Sequence, residues 1–253
     1  MCLVGIGWNT HPRWRLVMAG NRDEWHARPT ADLAAWTDLP ILAGRDLRSG
    51  GTWMGLGPQG RVAVVTNVRD GLPAPFHGPS RGALPTDFLV GSAAADACAE
   101  AIARHAEAYA PFNLVLADAT TCAHVGNHPA HGMRPITPGV HAISNGPFDA
   151  PWPKTQRLQA VLRDWARRGA TSLDPLWDAL ADARIADDDA LPQTGIPRDM
   201  ERHLSSAFVV GQDYGTRAST LVLVDHGGNG TIIERRFGPN GVFLGETTLE
   251  CGD

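Results

Sequence analysis

A cysteine stands directly behind the initiator methionine in MCLVGIGW. Aminopeptidases remove methionine when the next side chain is small, and cysteine qualifies. Cys2 would then carry a thiol and a free α-amine on one residue. An α-amine has an ordinary pKa of about 7.7–8.0 and a thiol one of about 8.5, so near neutral pH the amine can take the thiol proton, directly or through water. The residue types predict a self-activating nucleophile for acyl transfer.

Four further stretches carry side chains suited to the same chemistry. GNRDE at 20–24 ends an apolar run that pairs, hairpin fashion, with the run begun by Cys2. Start and end of such a hairpin lie side by side, so Arg22, Asp23 and Glu24 are expected near the N-terminus. A guanidinium there favours the thiolate, and a carboxylate orients the amine. Asn67 closes VAVVTN and Asn145 closes HAISN, both expected strand ends, where two amides could donate to a developing oxyanion. Arg217 in YGTRASTLV is placed at a sheet edge, able to hold a carboxylate. Asn21, Glu24, Trp25 and Trp53 neighbour this constellation and are candidates for substrate contact.

The elements that must position these residues can be read from the pattern. Residues 2–8 and 14–20 are two apolar runs around the turn-rich NTHPR, and 52–57 and 61–67 repeat the arrangement around PQG, giving two hairpins. Alanine-rich sequence over 85–109 predicts one or two helices; 112–118 and 141–144 read as strands. KTQRLQAVLRDWARR at 154–168 places Leu158, Val161, Leu162 and Trp165 on one helical face, and a short helix is expected over 173–183. The stretch 184–203 reads as a long loop, and AFVVG, RASTLVLVD and TIIERRF as three closing strands. Strands, helices, strands, helices, strands is an α+β order with segregated elements. No glycine-rich phosphate loop opens a helix.

The 253 residues and 43% hydrophobic content suffice for one large domain over 1–253. A formal net charge of −5 disfavours nucleic acid and anionic membrane as partners. No apolar run approaches the roughly 20 residues of a spanning helix, and no secretory pattern opens the chain, so a cytoplasmic protein with a small-molecule ligand is expected. Cys2, Cys98, Cys122 and Cys251 are widely spaced without a CxxC pair, which predicts reduced thiols and no zinc site.

Taken together, Cys2, the NRDE tetrapeptide at 21–24, GRVAVVTN, SNGPFD and YGTRAST resemble the NRDE proteins, also called the transport and Golgi organisation 2 homologue family. The resemblance spans nearly the whole chain. That family is similar to the cysteine N-terminal nucleophile hydrolases, which implies a four-layer αββα sandwich. It implies Cys2 as nucleophile, Asp23 as the contact of the α-amine, Asn67 and Asn145 around the oxyanion, and Arg217 as a distal arginine. The hydrolase pattern has an arginine three residues before its aspartate; here Gly20 holds that place and Arg22 adjoins Asp23.

The reaction so implied is hydrolysis of a small amide or thioester through an acyl-enzyme, with a small-molecule acyl substrate, no cofactor and no metal; a homo-oligomer is compatible with it. The alternative is a non-catalytic carrier of haem, acyl-CoA or lipid on the same fold. For haem, ligands would come from Cys2, Cys122 or the histidines of HVGNHPAH, namely His124, His128 and His131. CxxCH is lacking, and Gly126 and Pro129 prevent one helical face from presenting all three histidines.

Overall fold

In the computed structural model, which describes residues 3–72 and 75–252, the layering follows from side-chain alternation along the first strands. Strand β1 (Leu3–Trp8) is buried throughout and feeds two cores. Val4, Ile6 and Trp8 enter an apolar core between two sheets, whereas Leu3 packs against helices. Strand β2 (Trp14–Trp25) does the same, with Leu16 and Met18 between the sheets and Val17 and Ala19 under helices. A period of two places successive side chains on opposite faces, so a strand buried on both sides needs an unbroken apolar run.

The second sheet begins with β3 (Thr30–Ala35), β4 (Leu42–Asp46), β5 (Met54–Gly57) and β6 (Arg61–Asn67). After helices α1 (Ala83–Val90) and α2 (Ala95–Ala103) it continues with β7 (Phe112–Ala117), β8 (Cys122–Gly126) and β9 (Gly132–Pro135). The chain returns to the first sheet through β10 (Gly139–Ile143). It then forms α3 (Pro153–Arg167), α4 (Asp174–Leu180) and the short α5 (Arg198–His203), and ends in β11 (Tyr214–Asp225), β12 (Gly230–Phe237) and β13 (Phe243–Cys251).

Every strand pair is antiparallel: the first sheet runs β10-β1-β2-β11-β12-β13 and the second β3-β4-β5-β6-β7-β8-β9. Met54, Leu56, Val62, Val64 and Val115 meet the first sheet. On the opposite face Ala63, Val65, Leu114 and Leu116 meet Leu84, Phe88 and Leu89 of α1 and Ala99 of α2. Leu158, Leu162 and Trp165 of α3 and Leu176, Trp177 and Leu180 of α4 cover the outer face of the first sheet. The result is a four-layer αββα sandwich. Each fully buried Val, Leu, Ile or Met contributes about 1.5–3 kcal/mol.

The structure departs from the sequence expectations in four places. Strand β2 does not stop at Gly20 but runs on to Trp25, so NRDE lies within a strand. AFVVG is not a strand; Val209 is tied instead to Thr216 of β11 by reciprocal hydrogen bonds. Helix α5 occupies the end of the expected loop 184–203. Strands β3, β4, β8, β9 and β13 were not expected; β9 and β13 are edge strands with largely exposed residues, where the apolar pattern is weak.

Candidate functional site

Strand β1 lies between β10 and β2. Val4 faces Ile143 on one side, and Leu3 faces Asn21 on the other. Cys2 lies outside the described residues. The start of β1 is therefore flanked by the end of β10, leading into Ser144 and Asn145, and by the NRDE segment of β2.

Arg22 points between the sheets. It is 4% exposed, and its guanidinium sits 4.4 Å over the Trp53 ring. Glu24 lies 3.9 Å away, and Nη1 of Arg22 is buried without a hydrogen-bond partner. Burial lowers the guanidinium pKa most, Glu24 opposes that shift, and Arg217 adds to it. Trp53 fits its slot because residue 44 is glycine: a Cβ there would come within 2.3 Å of the indole. Gly20 is just as constrained, since a Cβ would lie 2.9 Å from the Leu3 carbonyl oxygen and 3.2 Å from Met54 Cε. The sheet has no room for an arginine at 20, and on β2 the guanidinium on this face is that of Arg22.

Asp23 alternates to the opposite face. It is buried and accepts a 2.6 Å hydrogen bond from Thr216 Oγ1, which itself accepts from the Val209 N–H. The register between β2 and β11 slips here, pairing Thr216 with Asp23 and Ala218 with Arg22. Arg217 is the extra residue of this bulge, a device that re-aims a side chain. Its Nη1 donates to the carbonyls of Arg28 at 2.5 Å and Trp25 at 3.3 Å and to Thr30 Oγ1 at 3.1 Å. Arg217 has no carboxylate ion pair among the described residues, and burial lowers its pKa.

The structure brings Asn67 and Asn145 together. Asn145 Nδ2 donates to the Asn67 carbonyl at 2.9 Å. The turn after β10 is held to the second sheet by three more bonds: Thr66 Oγ1 to Ser144 O at 3.1 Å, Arg69 N–H to Asn145 O at 2.8 Å, and Asn113 Nδ2 to Gly146 O at 2.9 Å. Asn113 is oriented by His124, 3.0 Å from its Oδ1. Arg69 is anchored by Thr194 and Glu201, each at 2.7 Å. Asn67 is exposed, and its side-chain amide has no hydrogen bond among the described residues. Thr66, Arg69 and Asn113 were not recognisable in the sequence, because each joins segments far apart in the chain.

Two expected substrate contacts lie elsewhere. Asn21 faces the helix layer, donating to the carbonyls of Leu180 at 2.8 Å and Ala207 at 2.7 Å while accepting from Ser219 Oγ at 2.7 Å. Both of its donors are spent on holding β2 to that layer. Trp25 is 60% exposed at the end of β2, edge-on to Tyr214. Glu24 bridges Arg22 and Arg28, at 3.9 and 3.7 Å.

A group not singled out in the sequence stands beside Arg22. Glu234 is 2% exposed, its Oε1 accepts the Leu33 N–H at 3.0 Å, and burial pushes its pKa up to about 7. With Arg22, Trp53, Arg217, Arg236 and Asp32 it lines a cavity of about 50 Å³ between the sheets.

The histidines and thiol proposed for haem are dispersed in their contacts. His124 holds Asn113, its burial lowering its pKa to about 3; His128 is 3.1 Å from Asp70, and His131 is 3.9 Å from Glu107. Cys122 is buried in the inter-sheet core, which pushes its thiol pKa up. Among the described residues no three His, Cys, Asp or Glu side chains gather where they could hold a metal, and no helix is long and apolar enough to cross a membrane.

The fold has known counterparts. The Transport and Golgi organisation 2 family profile matches residues 1–239. The human Transport and Golgi organization protein 2 homolog is 29% identical over 256 residues, covering 93% of this chain and 92% of that protein. Among solved structures, a variant of the conjugated bile acid hydrolase from Clostridium perfringens superposes with a TM-score of 0.58 at 8% identity, over 98% of this chain and 92% of the other. The Caenorhabditis elegans ortholog of N-acylethanolamine-hydrolyzing acid amidase gives 0.53 at 11% identity, over 89% and 93%. These neighbours share the fold of the N-terminal nucleophile hydrolases. Matched by the profile over nearly its whole length, the chain belongs to the Transport and Golgi organisation 2 family.

Proposed function

We propose that the protein is a cysteine hydrolase that cleaves a small amide or thioester through an acyl-enzyme on Cys2, after removal of Met1. The observation that carries this reading is the register around β1. Leu3, the first described residue, pairs with Asn21 of NRDE, and Val4 pairs with Ile143, just ahead of Ser144 and Asn145. The start of β1 is thus flanked by an amide donor, Asn145, and by the strand that carries the buried cation Arg22. Two fold neighbours lend support, one named a conjugated bile acid hydrolase and the other an N-acylethanolamine-hydrolyzing acid amidase.

In the proposed reaction the Cys2 sulfur attacks the substrate carbonyl while its proton passes to the α-amine. Arg22 favours the thiolate electrostatically. Asn67, whose side-chain amide has no hydrogen bond among the described residues, and the second N–H of Asn145 donate to the oxyanion. Collapse of the tetrahedral adduct breaks the C–N or C–S bond, and the α-ammonium returns its proton to the leaving group. Water then attacks the thioester, releasing the carboxylic acid and the Cys2 thiol. Asp23, fixed by Thr216, orients the α-amine, and Arg217 holds the turn following β2.

The test is a panel of N-acyl amides and acyl thioesters followed by mass spectrometry of the protein. The wild type accumulates an acyl adduct on Cys2 and turns over; Cys2→Ala does neither and remains folded. Undiminished turnover in purified Cys2→Ala refutes the reading. Stoichiometric binding of an acyl-CoA or haem without turnover in the wild type would favour a carrier instead.

A further inference from the structure

We propose that the cavity between Arg22, Arg217 and Arg236 is a carboxylate-binding subsite. It deepens the hydrolase reading, on which its assignment to a substrate rests: the favoured substrate carries a second, anionic group besides the scissile carbonyl.

Three guanidinia line a cavity of about 50 Å³ together with the carboxyls of Asp32 and Glu234. Among the described residues Arg236 has a close ion pair there, with Asp32. Arg22 reaches Glu24 only at 3.9 Å, and Arg217 spends its Nη1 on two carbonyls and a hydroxyl. Two guanidinium nitrogens, Nη1 of Arg22 and Nε of Arg236, are buried without a hydrogen-bond partner. A buried charged donor left unpaired costs several times more than an ordinary missing bond, so a ligand supplying oxygens there recovers a large interaction. Guanidinia match carboxylates geometrically, through paired N–H···O bonds. The volume admits a small polar group, since about 10–15 Å³ of such space already holds a water.

The surroundings define the rest of the ligand. Trp53 stacks on Arg22 at one wall, and Phe237 and Leu244 form an apolar rim. An anionic head on a short apolar body suits this shape. Arg22 is on the strand next to β1 and Arg236 is two strands beyond it. Strands are about 4.8 Å apart, so the carboxylate and the scissile carbonyl would be separated by about 5–15 Å.

Glu234 makes the subsite proton-dependent. It shares the cavity, and the groups around it are Asp32 and the Leu33 N–H from β3, Arg22 from β2, Arg217 and Thr220 from β11, Thr247 from β13 and Arg236 on its own strand. Protonated, it leaves the guanidinia to the ligand; ionised, it competes for them.

The experiment measures calorimetric binding of hexanoate and of its neutral isostere hexanamide to the Cys2→Ala protein, which separates the subsite from any turnover. Hexanoate is expected to bind and hexanamide at least tenfold more weakly. Arg236→Gln, at a partly exposed position that does not threaten folding, is expected to weaken hexanoate about tenfold, and raising the pH from about 6 to about 8 to weaken it by a similar factor as Glu234 ionises. Glu234→Gln should abolish that pH dependence. Equal binding of hexanoate and hexanamide, absence of hexanoate binding, or affinity unaffected by Arg236→Gln overturns the subsite. None of these results bears on Cys2, whose role is decided by the acyl adduct alone.

Discussion

Replacing Glu234 by glutamine should change how stability depends on pH. The carboxyl is 2% exposed, and burial outweighs the Leu33 N–H and the nearby arginines, raising its pKa from 4.5 to about 7. The folded protein therefore prefers the neutral acid. The stabilising contribution is fully present below the unfolded value near 4.5, drains away as pH rises, and is gone once the folded value near 7 is passed. At about 1.4 kcal/mol per tenfold, the interval corresponds to on the order of 3 kcal/mol. Glutamine accepts the same Leu33 N–H and does not titrate. Urea unfolding of both proteins between about pH 4 and pH 8 should show the variant gaining about 3 kcal/mol relative to the wild type, most of it by pH 7. The comparison cancels every other titrating group. A difference that stays constant across this range would refute the reasoning, because it would mean that Glu234 has the same pKa folded and unfolded.

Three further outcomes follow from particular contacts. Gly44→Ala drives a Cβ into the Trp53 indole, displacing it from under Arg22 and costing about 1–3 kcal/mol in denaturant unfolding. Asn21→Ala leaves the Leu180 and Ala207 carbonyls and the Ser219 hydroxyl without their partner and should cost about 2–4 kcal/mol, measured in the same way. Asn145→Ala, by removing an oxyanion donor, should lower kcat about 10²–10³-fold on the best amide or thioester, whereas loss of KM alone would assign Asn145 to ground-state binding.

How much of this was legible in the sequence depended on burial pattern. The β1–β2 and β5–β6 hairpins stood out because strands covered on both faces must be apolar at nearly every position. The amphipathic α3 was readable because it is covered on only one face. NRDE was misjudged as a strand terminus because four polar residues break the apolar run. In the fold they remain in β2, with Asn21 and Asp23 bonded toward the helix layer and Arg22 stacked on Trp53. Edge strands such as β13, alternating exposed and half-buried residues, lacked that apolar signature. The convergence of Asn67 with Asn145 was expected from two strand-end amides suited to one oxyanion; Thr66 and Asn113, which fix the geometry, were not, since they bond across 78 and 33 residues. Glu234 could not have been found, since TIIERRF gives no sign that one of its charged residues is buried against another strand's N–H.

The measurement that tests the central claim most directly is the intact mass of the purified protein before and after iodoacetamide at neutral pH, with peptide mapping of the label. The account predicts loss of Met1 and preferential alkylation of Cys2 over Cys98, Cys122 and Cys251; burial makes Cys98 and Cys122 less reactive. Retained Met1 in protein from a host that processes it normally, with Cys2 unlabelled, would contradict it.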